Sequence, residues 1–179
     1  MKIICFGDSN TYGYDPRGYF GGRYDAPWPE ILAERSGWNV VNDGINGREI
    51  PQAPVLFPMD TDLLIIMLGT NDLLQFRTPQ AACEKIEQFL ELLTLDRDKI
   101  LLIAPPPMEF GTWVQDQKLI GGSVALAKHY QALSERLGVR FADAGEWWNT
   151  SLAYDGVHLS EAGHRAFAEG LFNYLDKGE

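Results

Sequence analysis

Short, continuous apolar runs alternate along this chain with segments in which apolar residues recur at helical spacing. The apolar runs are 2–6, 38–42, 63–68, 100–104 and, more weakly, 139–143. A short run without polar alternation is typical of a strand buried on both faces, as the strands of a parallel sheet are. This alternation restricts the chain to an α/β fold.

Three other segments have the 3.6-residue period of amphipathic helices. The segments are 79–95, 123–137 and the C-terminal one that contains Phe167, Leu171, Phe172 and Leu175. Helices that connect parallel strands make right-handed crossovers and cover both faces of the sheet. We therefore predict a three-layer α/β/α sandwich around a five-stranded parallel, flavodoxin-like sheet.

Length and charge limit the domain count and the partners. A chain of 179 residues with 45% hydrophobic content fits a single domain over 1–179 with a sizeable core. Its net charge of -10 repels phosphate backbones and anionic lipid surfaces, so we expect no nucleic-acid partner. Since no apolar stretch approaches membrane-spanning length, we expect no integral membrane association either.

The cysteines and the N-terminus indicate the compartment. Cys5 lies in an apolar run and Cys83 near the start of a predicted helix, so both are expected to be buried free thiols. The first apolar run is too short for a signal-peptide core and is not followed by a small-residue cleavage site. We predict a cytoplasmic protein, with a secreted form that has lost its leader as the open alternative.

Polar residues follow the predicted strands, and open parallel sheets bind ligands at the carboxyl ends of their strands. Ser9 stands at a tight turn after the first run, and Asn71 follows the third run. A serine hydroxyl held at such a turn can act as a nucleophile, and an asparagine amide can bind an oxyanion. Asp155 precedes His158 by three residues across a glycine, so it can hold one imidazole nitrogen while the other acts as a base.

Each of these residues also has an ordinary structural interpretation. Ser9 could cap a helix, Asn71 could cap the next segment, and Asp155 could stabilise a turn. Of the remaining histidines, His129 is expected at a solvated mid-helix position, and His164 to be structural or exposed within the last helix. A nucleophile, a base with its acid, and an oxyanion donor together at strand ends favour catalysis.

Four segments resemble the ordered motifs of the SGNH/GDSL hydrolase family. They are GDSN at 7–10, NDGING at 42–47, GTND at 69–72 and DGVHLS at 155–160. In the first, Asn10 stands where leucine is common in the family. The segments span nearly the whole chain, and GDSNTYGYDP together with NGR at 46–48 is most similar to the arylesterase and acyltransferase branch.

The resemblance implies a role for each matching residue. Ser9 would be the nucleophile, His158 its base and Asp155 the partner of that base. The oxyanion hole would consist of the backbone amides of Ser9 and Gly47 and the side-chain amide of Asn71.

Within the second motif, Gly47 rather than Gly44 is assigned to the oxyanion hole because it matches the final glycine of the family motif. Arg48 would either support the site from beneath or be a surface charge. The candidate substrate-binding residues are Asp8, Asn10, Tyr12 and Asn46. Loop 12–24 and segment 105–113 are expected to form the walls of the site.

The sequence therefore predicts a serine esterase that hydrolyses small or short-acyl carboxylic esters through an acyl-enzyme on Ser9. It needs no cofactor, and no metal is expected because Asp8, Asp155 and His158 lack a metal-ligand spacing. The expected partner is a small-molecule ester, and a homo-oligomer is left open. Alternatives are acyl transfer, an O-acetyl-carbohydrate esterase, a lysophospholipase, and a non-catalytic flavodoxin-like binding module.

Overall fold

The computed structural model describes residues 1–18, 20–147 and 152–177, and a parallel sheet forms its middle layer. In chain order the strands are β1 (Lys2–Gly7), β2 (Tyr14–Asp15), β3 (Gly22–Arg23), β4 (Asn39–Gly44), β5 (Leu63–Met67), β6 (Ile100–Ala104) and β7 (Arg140–Asp143). Strands β2 and β3 form a small antiparallel hairpin. The other five form one parallel sheet in the order β4-β1-β5-β6-β7, which is the predicted flavodoxin-like arrangement.

Helices cover both faces of this sheet. They are α1 (Ser9–Tyr12), α2 (Trp28–Ser36), α3 (Thr70–Leu74), α4 (Pro79–Glu91), α5 (Gln117–Leu137) and α6 (Glu161–Asp176). Helices α2 and α6 pack together on one face, while α4 and α5 pack together on the other. The predicted three-layer α/β/α sandwich is confirmed.

Alternate residues of each central strand enter the two halves of the core. Ile65 and Met67 of β5 pack against the α2 and α6 side, whereas Leu64 and Ile66 pack against the α4 and α5 side. Strands β5 and β6 are buried along their whole length. This burial on both faces explains why these strands are continuous apolar runs in the sequence.

The helix ends follow local chemistry. Thr78 caps α4 by accepting a hydrogen bond from the backbone of Ala81 at 3.1 Å, and Ser160 caps α6. Helix α5 begins six residues before the predicted segment, because Gly121 and Gly122 weaken the helical pattern there. Helix α2 was not predicted from the sequence.

Several further expectations concern single residues. Cys5 and Cys83 are both free and buried, as predicted. His164 is fully buried, so the alternative that it is exposed is wrong, and His129 is half-buried rather than solvated. No helix of the described residues is both long and apolar enough to cross a bilayer.

Candidate active site

Ser9, His158 and Asp155 form a hydrogen-bonded chain at the carboxyl edge of the sheet. His158 Nε2 lies 2.9 Å from Ser9 Oγ, and His158 Nδ1 lies 2.6 Å from Asp155 Oδ2. All three residues are buried, Asp155 completely. In this geometry one imidazole nitrogen can accept the serine proton while the carboxylate holds the other.

The position of Ser9 is set by the tight turn between β1 and α1. Asp8 caps α1, since its Oδ1 accepts a hydrogen bond from the Asn10 backbone at 2.9 Å. Ser9 is the first helical residue, so its interpretation as the helix cap is wrong. A Cβ at Gly7 would lie 2.0 Å from Thr11 Oγ1, so only glycine allows α1 to fold back against β1.

A second tight turn holds Asp155 and His158. The left-handed backbone of Gly156, with φ of 79°, lets Asp155 Oδ1 accept hydrogen bonds from the backbones of Val157 and His158, each at 3.0 Å. Burial raises the pKa of Asp155, but the hydrogen bonds from His158 and Val157 outweigh it and hold the pKa below its ordinary value. The carboxylate beside the imidazole is therefore ionised at neutral pH.

Asn71 lies on α3, directly after the central strand β5. Its Nδ2 donates to the backbone oxygen of Arg48 at 3.1 Å and lies 3.4 Å from Asp8 Oδ2. The same side chain lines the pocket beside Ser9. These contacts hold the Asn71 amide close to Ser9.

The two glycines of the second motif have different surroundings. A Cβ at Gly44 would lie 2.1 Å from the Tyr12 backbone nitrogen, so Gly44 allows β4 to approach α1 closely. Gly47 has φ of 74° and open space where a Cβ would stand, and it lines the pocket. Of the two, Gly47 lies at the pocket and Gly44 does not.

Arg48 supports the nucleophile turn from beneath. Its guanidinium donates to the Gly7 backbone oxygen at 3.0 Å and to Asp43 Oδ1 at 2.9 Å. It also lies 4.0 Å from the centre of the Phe6 ring. Since the side chain is largely buried, the surface-charge interpretation of Arg48 is wrong.

A pocket of about 210 Å³ opens beside the Ser9 hydroxyl. Its lining residues are Ser9, Tyr14, Asn46, Gly47, Asn71, Leu74, Trp113, Val157 and His158. The Tyr14 and Trp113 rings lie 4.6 and 5.2 Å from the His158 ring, centre to centre. Loop 12–24 and segment 105–113 thus each contribute an aromatic wall, while Tyr19 of that loop lies outside the described residues.

Among the predicted substrate-binding residues, Asn46 lines this pocket, whereas the other three make contacts outside it. Asp8 is fully buried as the α1 cap, and burial raises its pKa to about 6. Asn10 is buried with both ends of its amide bonded to backbone groups. Tyr12 contributes its ring to a contact with the Arg23 guanidinium. None of these three residues lines the pocket, and their assignment to substrate binding stays a prediction.

The aromatic wall at Trp113 is attached to the Asp155 turn through the backbone. Trp113 donates to the Asp155 backbone oxygen, and Thr112 to that of Tyr154, both at 3.1 Å. Trp113 ends the segment expected to form a wall of the site, whereas Tyr14, Leu74 and Val157 were not individually predicted to line it. These three residues lie in a short hairpin, a short helix and a turn, for which residue spacing gives no signal.

Among the described residues, no group of three or more histidine, cysteine, aspartate or glutamate side chains is arranged to hold a metal ion. The groups at this sheet edge are instead a hydroxyl, an imidazole, a carboxylate and amides. Such a set can transfer a proton and stabilise an oxyanion, which are the two requirements of acyl transfer.

Comparison with known proteins gives a consistent set of relatives. A model of the GDSL-like Lipase/Acylhydrolase family matches residues 5–166. The isoamyl acetate-hydrolyzing esterase 1 homolog of Rattus norvegicus is 23% identical over 212 residues, which cover 98% of this chain and 82% of the relative.

Solved structures resemble the whole described fold. The native aryl esterase of M. smegmatis has a TM-score of 0.83 at 26% identity and covers 98% of each chain. A carbohydrate acetylesterase family member from Sinorhizobium meliloti has a TM-score of 0.83 at 28% identity, covering 99% of this chain and 98% of its own.

Proposed function

This chain belongs to the GDSL-like lipase/acylhydrolase family and is a carboxylic ester hydrolase, and we propose that it hydrolyses small or short-acyl esters through an acyl-enzyme on Ser9. The observation that carries this proposal is the hydrogen-bonded chain from Ser9 Oγ through His158 to Asp155, with distances of 2.9 and 2.6 Å. The pocket opens at the serine end of that chain.

The reaction begins with neutral His158. As Ser9 Oγ attacks the ester carbonyl carbon, Nε2 accepts the serine proton, and Asp155 stabilises the imidazolium that forms. The tetrahedral intermediate collapses, the alkoxide takes the proton from Nε2, and the alcohol leaves an acyl group on Ser9. Water then attacks the acyl-enzyme with His158 again as base, which releases the acid and restores the serine.

The negative charge of each tetrahedral intermediate needs hydrogen-bond donors. The backbone amides of Ser9 and Gly47 and the Nδ2 group of Asn71 supply them. Asn71 Nδ2 donates to the Arg48 backbone oxygen at 3.1 Å and to Asp8 Oδ2 at 3.4 Å, and the oxyanion would replace the longer of these two contacts. Each such donor is typically worth about 3–4 kcal/mol in the transition state.

A short acyl group fits the space beside Ser9. The pocket volume of about 210 Å³ is below the roughly 300 Å³ at which pockets for drug-sized ligands begin. Acetyl is the acyl group in the names of two similar proteins, the isoamyl acetate-hydrolyzing esterase homolog and the carbohydrate acetylesterase. These points favour acetate and similar esters over esters of long fatty acids.

The decisive experiment is labelling with a fluorophosphonate probe, combined with hydrolysis of p-nitrophenyl acetate, butyrate and octanoate. Ser9→Ala should abolish labelling and lower kcat by at least ~10⁴-fold. Ser134→Ala, which alters a buried serine of α5 outside the pocket, is the matched control and should leave both unchanged.

The substrate series tests acyl length in the same assay. We expect kcat/KM to fall from acetate to octanoate because the octanoyl chain exceeds the pocket. Labelling that survives in Ser9→Ala would identify a different nucleophile. A wild-type protein that hydrolyses octanoate best would refute the short-acyl part of the proposal alone.

A further inference from the structure

Asn10 connects the nucleophile's helix to the loop that carries the base. Its Nδ2 donates to the Val157 backbone oxygen at 3.1 Å, and its Oδ1 accepts from the Leu159 backbone at 2.7 Å. These two backbone groups lie on either side of His158. The side chain of Asn10 is 2% exposed, so both hydrogen bonds are shielded from water.

The chemistry of this contact requires an amide. Asparagine offers a donor and an acceptor at adjacent atoms, which match one carbonyl and one N–H of the same backbone segment. Leucine, the residue common at this position in the family, offers neither group. Aspartate would retain the acceptor, but it would place a carboxylate oxygen against the Val157 carbonyl.

Asn10 and Asp155 constrain His158 in different ways. Asp155 belongs to the same turn as His158, so it orients the imidazole within that turn and moves with it. Asn10 directly follows Ser9 on α1, and its backbone N–H donates a hydrogen bond to Oδ1 of Asp8, the α1 cap, at 2.9 Å. The amide of Asn10 therefore relates the position of the turn to that of the nucleophile.

We propose that Asn10 is a positioning residue that sets the separation of His158 and Ser9 by bonding the backbone on both sides of the histidine. This inference rests on the proposed function of Ser9 and His158 as nucleophile and base. Proton transfer between them depends on a 2.9 Å contact, and a displacement of about 1 Å at a reacting group can cost ~10²-fold in rate.

The test compares Asn10→Leu and Asn10→Asp with wild type and with Ser36→Ala. Ser36 is a suitable control because its hydroxyl also makes two backbone hydrogen bonds, to Leu32 and Trp38, at the end of α2. For each protein, kcat and KM for p-nitrophenyl acetate, the rate of fluorophosphonate labelling, the labelled fraction at completion and Tm are measured.

We expect both Asn10 variants to label completely but about 10- to 100-fold more slowly, with kcat reduced in parallel and KM within about threefold of wild type. Ser36→Ala should lower Tm without changing the rate per labelled site. A residue that only stabilises the fold would lower the labelled fraction instead of the rate.

Wild-type kcat in Asn10→Leu, or loss of activity matched by an equal loss of labelled sites, would overturn the inference. If Asn10→Leu does not fold, the isosteric Asn10→Asp variant decides by the same criteria. Failure of the proposed function is a separate result, because the wild-type protein would then not label at Ser9 at all.

Discussion

Asn71 lines the pocket beside Ser9, and its Nδ2 donates to the Arg48 backbone oxygen at 3.1 Å and more weakly to Asp8 Oδ2 at 3.4 Å. Asn71→Ala should lower kcat by about 10²–10³-fold with little change in KM, because an oxyanion donor acts mainly in the transition state. Steady-state kinetics with p-nitrophenyl acetate measures both constants. Asn173→Ala, at an exposed position of α6, is the control and should have wild-type kinetics.

The isosteric Asn71→Asp variant sharpens this prediction. A carboxylate occupies the same volume but repels the oxyanion, so its kcat should be as low as that of Asn71→Ala or lower. Equal losses in kcat and in the free energy of unfolding would instead indicate that Asn71 only holds the Arg48 backbone in place.

His164 couples stability to pH. It is fully buried, its Nδ1 accepts a hydrogen bond from the Trp28 backbone at 3.2 Å, and burial lowers its pKa to about 3. The unfolded chain therefore binds a proton at a higher pH, near 6.5, than the folded chain does. Its contribution to stability is complete above pH ~6.5 and falls by up to about 1.4 kcal/mol per pH unit as the pH drops toward 3.

The variant His164→Asn keeps a hydrogen-bond acceptor for the Trp28 backbone and removes the titratable imidazole. It should be less stable than wild type at pH 8, because the smaller side chain leaves a cavity. The difference should shrink or reverse at pH 4.5, as measured by urea unfolding at both pH values. An unchanged pH dependence in the variant would contradict this assignment.

At the scale of elements, α1 depends on close packing against the end of β4. A Cβ at Gly44 would clash with the Tyr12 backbone at 2.1 Å, so Gly44→Ala should displace α1 and with it Ser9. We expect a stability loss of roughly 1–3 kcal/mol and a large fall in kcat. Urea unfolding and esterase kinetics measure these two effects.

Gly47→Ala is the matched variant three residues away. Its Cβ meets open space, so the cost is that of a left-handed backbone, about 1 kcal/mol. The backbone amide remains, so kcat should stay within about tenfold of wild type. If Gly44→Ala retained wild-type kcat, the described role of Gly44 in placing α1 would be wrong.

The sequence predicted the central strands more accurately than the helices. Strand β6 matches its predicted run at both ends, because Lys99 precedes it and Pro105, which cannot donate to a sheet hydrogen bond, follows it. Helix α2 escaped prediction because Pro27 and Pro29 at its start follow a loop rich in glycine and tyrosine. Its buried residues, Trp28, Pro29 and Leu32, are too few to establish a period.

The site was predictable to the extent that it depends on strand ends. Ser9 and Asn71 follow neighbouring strands, so their meeting at one edge is a consequence of the sheet order. The contact of Asn10 with the backbone beside His158 spans almost the entire chain, and the packing of Tyr14 depends on a hairpin. Neither leaves a periodic signal, which explains why Asn10 was assigned to the substrate.

At the scale of the whole molecule, one sheet separates two halves of the core, and every central strand contributes to both. We therefore propose that the chain unfolds as one domain, because the sheet forms one wall of each half of the core and both halves lose that wall when the sheet unfolds. The adjacent residues Ile65 and Ile66 provide a matched test, because both are fully buried but enter opposite halves.

Ile65→Ala and Ile66→Ala should each lower the free energy of unfolding by about 2–5 kcal/mol. Each should show a single urea transition that coincides in tryptophan fluorescence, far-UV circular dichroism and loss of fluorophosphonate labelling. The coincidence matters because three of the five tryptophans, Trp28, Trp38 and Trp147, pack on the α2 and α6 side, whereas Ser9 reports the sheet edge. If Ile66→Ala lost labelling and secondary structure at lower urea while the Trp28 side stayed folded, the two halves would be separate cooperative units and the single-domain proposal would fail.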